Sequence, residues 1–307
     1  MLSEAQKADL ALILVVVIWG TTFVAVQKAI TEIPIHSFHV LRFGVATVAL
    51  LPLWILRRSA TRQDKPAPDG LLLKAGCLAG LCLWLSYCFQ TSGLLYTTPA
   101  HSGFFTGMAV VIVPVLSFLI LKEKLEKRAV IGISMAAVGL AFLAFGGAGT
   151  VEQPPPQPDI LKGDLLTLGC AVAFAFQIII KARWASQLSA LKLTTVELTT
   201  VFVLSLAAAL LLEEIPDPRS LSFTVWGSVL LTGVLATAFA FLVQTWAQRT
   251  TTAVRTAVIF AFEPVSAAIF SWWLVGEVLP PWAVFGGVLI VGGMLRTELG
   301  GKKKTTD

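Results

Sequence analysis

The chain predicts an all-α integral membrane protein with ten transmembrane helices built as two inverted five-helix repeats. Three observations predict it. Hydrophobic residues make up 56% of the 307 positions and charged residues only 13%, about half the charged share of a soluble domain. Residues 10–146 and 163–297 repeat one pattern at an offset of 150–155 residues. Basic residues gather on one side of the alternating breaks. An odd number of spans per copy makes the second copy enter the membrane upside down, a construction used by secondary transporters.

A bilayer core about 30 Å thick needs roughly 20 apolar residues per helix. Runs of that kind fall at 10–28, 34–56, 71–92, 98–121, 128–146, 163–182, 194–212, 222–246, 253–274 and 281–297. The first run is too long for a signal-peptide core and no small-residue cleavage site follows it, so it is read as a retained helix. The second holds Arg42; the third carries Trp84, Tyr87, Gln90 and Thr91 on one helical face. The fourth and ninth contain Pro114 and Pro264, followed by acidic stops at Glu123 and Glu277. The eighth repeats the third's polar face as Thr237, Phe241, Gln244 and Thr245. In the fifth and tenth, Gly132 and Gly139 return as Gly286 and Gly293. Small residues let helices approach closely in lipid. These glycines, with Gly287 and Gly292, serve either packing within the chain or a homodimer face.

Residues 1–146 therefore form the first repeat and 163–297 the second. A linker at 147–162 contains Pro154, Pro155, Pro156 and Pro158, and a basic tail spans 298–307. With both ends cytoplasmic, 19 of the 23 Lys and Arg residues lie inside, which is the positive-inside bias. Lys181 is counted among them, at the inner end of helix six. The net charge of +5 is thus an orientation signal in a cytoplasmic membrane, and no nucleic-acid partner is expected.

Charges inside hydrocarbon are expensive and face a cavity or a partner. Two sit deep in their runs. Glu263 lies near the middle of helix nine beside Pro264, which removes a helical hydrogen bond; it reads as a proton-coupling or amine-binding group, or as a neutral acid bonded to a neighbour. Arg42 needs an acceptor, either a substrate carboxylate or a structural partner. Glu197, its counterpart by offset, falls one turn into helix seven and reads as reaching the interface. Buried amides demand partners, so Trp84, Tyr87, Gln90, Thr237, Phe241 and Gln244 predict a cavity wall, with Trp19 and Gln177 added more weakly. His36 and His39 read as interfacial. Cys77, Cys82, Cys88 and Cys170 occur without CxxC spacing or a His partner in sequence, and read as small packing residues.

Trp19-Gly20-Thr21-Thr22-Phe23, Leu41-Arg42-Phe43 and the paired Pro114 and Pro264 resemble the EamA-type carriers of the drug/metabolite transporter superfamily over nearly the whole chain. The second copy departs from the pattern, with Phe174-Ala175 in place of Trp19-Gly20. The resemblance implies alternating access and export of amino acids, aromatic ones included, or other small metabolites. It also implies a cavity lined by helices one, three, four, six, eight and nine, with two and seven as gates. Pro114 and Pro264 would be the flexible points. The alternatives are a carrier of drugs, sugars or nucleotide-linked metabolites, a polytopic membrane enzyme, or a scaffold. No P-loop, HExxH or GxSxG motif appears, so no cofactor, metal or catalytic residue is expected.

Overall fold

The structure is a computed structural model and describes residues 3–57, 69–123, 125–145, 159–275 and 280–298. The proline-rich linker, the Glu277-Val278-Leu279 echo and most of the basic tail lie outside the described residues. Within them every apolar run becomes a helical segment. These are α1 (Glu4–Ala29), α2 (Ile35–Arg57), α3 (Asp69–Gly93), α4 (99–121), α5 (Lys127–Phe145), α6 (Ile160–Trp184), α7 (Ala190–Leu212), α8 (Phe223–Ala247), α9 (253–275) and α10 (Pro281–Glu298). Eight are long and apolar enough to cross a membrane, while α5 and α10 are shorter, at 19 and 18 residues.

Helix starts follow from local chemistry. Ser3 and Gln6 form a capping box on α1, satisfying two backbone donors reciprocally. Thr98 accepts from the His101 amide ahead of Pro99, and Thr252 accepts from the Arg255 amide. The two caps occupy equivalent places in the two copies. Lys122 ends α4 in the left-handed region at φ 58°, where the Ser117 hydroxyl donates to Glu123 at 2.6 Å.

Three spans are not regular. Helix α4 breaks at Met108 and widens to π geometry over Ser117–Leu121. Helix α8 is π-wound over Leu231–Phe239. Helix α9 breaks at Ala261 and Phe262 and restarts at Glu263. Pro264 has no N–H for the Phe260 carbonyl four residues back, which accounts for the last break. Such wide turns and breaks leave carbonyls free for other partners.

Packing is reciprocal between the halves: α1 lies against α8 and α9, α6 lies against α3 and α4, α2 pairs with α7, and α5 pairs with α10. Gly20 permits the α1–α9 approach, since any side chain there would strike Ser266 and the Ala267 backbone. In the α5–α10 pair a side chain at Gly139 would strike the Gly286 carbonyl, and one at Gly293 the Gly132 carbonyl. Gly287 faces Val265 and Gly292 faces Met135. All four C-terminal glycines are thus taken up within the chain. A homodimer through α5 and α10 would have to use the outward-facing Phe142, Val284 and Val288 instead. Leu211, Phe223 and Trp273 are 82%, 92% and 71% exposed, which is costly in water and favourable in lipid. The protein is a multi-pass membrane protein.

Candidate functional site

Where the breaks in α4, α8 and α9 fall, the helices leave a narrow, partly open chamber with a cavity volume of about 30 Å³. Side chains from α1, α3, α4, α6, α8 and α9 wall it, and Arg42 enters from α2. These are the six helices the resemblance implies, joined by one of its two gate helices.

The apolar wall is built around Trp19. Its indole N–H donates to the Ala236 carbonyl at 2.8 Å, inside the π turn of α8. Its ring contacts Phe260 at 4.9 Å, Phe241 at 5.5 Å and Phe174 at 5.8 Å between centroids, two of these edge-on. Phe174, the repeat counterpart of Trp19, stacks on Phe260 with planes 14° apart. Edge-on and offset aromatic pairs are the favoured geometries and hold such a wall rigid. Tyr87 continues it from α3, 6.3 Å from Phe241.

Two ionisable residues face the same space. Arg42 is 3% exposed. Its Nε donates to Thr237 Oγ1 at 2.8 Å and its Nη2 to the Tyr87 hydroxyl at 2.9 Å. Its guanidinium carbon lies 4.3 Å from the Tyr87 ring centroid. Both hydrogen-bond acceptors are neutral, and among the described residues no carboxylate lies at ion-pair distance from Arg42. Glu263 is 5% exposed and lines the chamber where α9 restarts. Among the described residues it has no hydrogen-bond or ion-pair partner. One cation and one acid, neither with a counter-ion among the described residues, therefore share one pocket.

The remaining candidates divide. Gln90 lines the chamber and donates to Thr106 Oγ1 at 3.0 Å. Thr237 acts through Arg42. Trp84 does not reach the chamber; its indole N–H is buried without a partner among the described residues. Thr91 turns away to meet His39 Nε2 at 2.9 Å. Gln244 and Gln177 also turn away and bond each other at 3.0 Å.

Those two amides belong to a second, drier network that sequence reading misplaced. Lys181 and Glu197 are fully buried and paired at 2.8 Å. Gln177 donates to the other carboxylate oxygen at 2.6 Å, and Lys181 also reaches the Phe241 carbonyl and Gln244 Oε1 at 3.4 Å. Neither residue is interfacial. Helix α7 begins at Ala190 and α6 runs on to Trp184, which sets Glu197 two turns deep and Lys181 a full turn inside. Arg42 is therefore not the sole deep cation. The available signal was the four-residue step from Gln177 to Lys181, which stacks them on one helical face. A further pair, Arg255 with both oxygens of Asp9, ties the start of α9 to α1.

The profile of the EamA-like transporter family matches residues 6–145 and 161–297. An uncharacterized transporter of Archaeoglobus fulgidus is 32% identical over 95% of this chain and 86% of its own. A probable terminal-alkyne amino-acid exporter of Streptantibioticus cattleyicolor is 24% identical, covering 99% of this chain and 98% of its own. The S-adenosylmethionine/S-adenosylhomocysteine transporter of Chlamydia trachomatis is 23% identical over 92% and 88%. A solved crystal structure at 19% identity superposes with a TM-score of 0.75, covering 95% of this chain and 96% of that one, and it shares the fold.

Proposed function

We propose that this chain, which belongs to the EamA-like transporter family, carries small zwitterions of the α-amino-acid class across the cytoplasmic membrane by alternating access. Arg42 receives the carboxylate and Glu263 the ammonium. The observation that carries this reading is one cation, Arg42, and one acid, Glu263, lining the same chamber with no counter-ion for either among the described residues. A buried charge costs several kcal/mol unless it is paired, and a zwitterion pairs both at once. The aromatic wall suits an apolar or aromatic side chain. The substrates in the names of the probable amino-acid exporter and of the S-adenosylmethionine/S-adenosylhomocysteine transporter also bear an α-amino-acid group. Nucleotide-linked substrates fit less well, because among the described residues Arg42 is the only basic residue lining the chamber.

The reciprocal packing of α1 and α6 supports inverted repeats, and the positive-inside bias supports cytoplasmic termini. Export is the direction the amino-acid exporter among the relatives supports. Glu263 doubles as the proton site when substrate leaves: a proton replaces the ammonium, so that the carboxyl is never left bare in the membrane.

The test is counterflow in proteoliposomes loaded with unlabelled amino acids, following labelled phenylalanine, methionine and threonine with and without a pH gradient. Wild type is expected to exchange at least one of them. Glu263→Gln is expected to lose about 10- to 100-fold in apparent affinity, the worth of one charge-assisted hydrogen bond of about 1.5–3 kcal/mol, and to lose its response to the gradient. Exchange of the deaminated acids as fast as the parent amino acids would sink the zwitterion reading.

The hinges of the rocking motion are Pro114, between the Met108 break and the π turn of α4, and Pro264, beside the break in α9. Pro264→Ala restores the missing backbone donor and is expected to slow turnover several-fold while leaving substrate affinity unchanged. A Pro264→Ala protein with wild-type turnover removes this hinge.

A further inference from the structure

At the N-terminal end of α2, outside the chamber lining but behind its Tyr87 wall, where the His39 ring lies 6.1 Å from the Tyr87 ring, His36, His39 and Cys88 converge. A ring nitrogen of each histidine and the Cys88 sulfur lie within 4.8 Å of one another. The histidines are three residues apart on one helix, which puts both rings on the same face. Cys88 arrives from α3. Sequence spacing gave Cys88 no partner, because the three residues meet only across helices.

Two observations point to a ligand here. Nδ1 of His36 and Nδ1 of His39 are both buried with no hydrogen-bond partner among the described residues, and His39 is 0% exposed. Buried ring nitrogens in native proteins are paired as a rule. The opposite nitrogen of His39 is already fixed, since Nε2 lies 2.9 Å from Thr91 Oγ1. A metal-bound imidazole donates its other N–H to an oxygen acceptor in this way, which sets the tautomer and aims the free nitrogen at the metal. His36 is held too: Glu213 accepts from the His36 and Ser37 amides, each at 2.7 Å, and from the Ser37 hydroxyl at 2.9 Å.

We infer that His36, His39 and Cys88 form a binding site for a thiophilic d10 metal ion, Zn2+ or Cu+, with one coordination position left open. Two imidazoles and a thiolate are the donors such ions accept together. Tetrahedral Zn2+ with Zn–N near 2.0–2.1 Å and Zn–S near 2.3 Å sets its ligands roughly 3.3–3.6 Å apart. The three atoms, within 4.8 Å of one another without an ion, need to close by about 1 Å on binding. Binding converts the Cys88 thiol to thiolate and releases one proton to solvent. His36 also lines a cleft with Thr31, Glu32 and Glu213, the side from which an ion would enter. An occupied site ties α2, the helix that carries Arg42, to α3.

The experiment uses tag-free, full-length protein in detergent, equilibrated with Zn2+, with Co2+ as a spectroscopic stand-in, or with Cu+ under reducing conditions, then desalted and assayed for metal. Wild type and Cys77→Ser are expected to retain about one equivalent of Zn2+ or Cu+. With Co2+ they should show thiolate charge-transfer absorption, and Zn2+ or Cu+ should raise the unfolding temperature. Cys88→Ser and His39→Ala are expected to lose the bound metal, the absorption and the stabilisation. Folded wild type that holds no more of any of the three ions than Cys88→Ser overturns the site. So does metal that every variant retains. Neither result bears on the substrate reading, which rests on Arg42 and Glu263.

Discussion

Replacing Arg42 with Gln is expected to cut the apparent affinity for an amino-acid substrate by about 30-fold to several thousand-fold, because losing one partner of a desolvated charge pair costs about 2–5 kcal/mol. The thermal stability of the empty protein is expected to hold or rise. The opposed directions follow from the geometry. Without substrate, the Arg42 guanidinium has, among the described residues, the Thr237 and Tyr87 hydroxyls and the Tyr87 and Phe43 rings for company, all of them neutral. A cation with neutral partners is a cost to the fold inside a membrane, and Gln relieves it. With substrate bound, the carboxylate supplies the missing charge. Arg42→Lys keeps the charge but loses the planar fork that bonds two neighbours and a carboxylate together, so an intermediate loss is expected. Counterflow measured with an amino acid and with the matching amine, which lacks the carboxylate, separates binding from structure. A loss confined to the amino acid supports the assignment. An equal loss for both, with a fall in unfolding temperature, makes Arg42 a structural residue.

Architecture was legible because the signals that encode it are local and doubled. Apolar run length, the repeat offset and the Pro264 break can each be read without knowing which helices touch. Arg42 and Glu263 were legible for a related reason: a charge in the middle of an apolar run has nowhere to go except inward. What escaped was partnership across helices. Gln244 and Gln177 carry the same amide as Gln90, yet they turn into a separate network, and amide identity says nothing about which way a helix is rotated. Lys181 escaped because a lysine near a helix end is expected to extend its stem toward the headgroups. Only the packing of α7 and α8 over it removes that exit. Cys88 escaped because its two histidines sit on another helix, some fifty positions earlier in the chain.

Lys181 and Glu197 set up the second large effect. Each is 0% exposed, and they are paired at 2.8 Å. Removing one partner of such a pair strands the other charge where neither water nor lipid headgroups reach it, at about 3–5 kcal/mol. Lys181→Met and Glu197→Leu are each expected to lower stability in detergent by that amount and to reduce the yield of folded protein. Replacing both together strands no charge, and a well-packed apolar pair often matches or exceeds a buried ion pair. The double variant is therefore expected to recover most of the stability lost in either single one, a non-additivity that a double-mutant cycle reads directly. Transport need not recover with it. Lys181 also donates to the Phe241 carbonyl, and the Phe241 ring lines the chamber against Trp19 and Tyr87. A double variant that is stable but slow assigns the pair to positioning the aromatic wall; one that is stable and fast leaves the pair holding α6 to α7 and nothing more. If the single variants are as stable as wild type, the two groups share a proton as a neutral pair, and the buried ion pair is the wrong description of them.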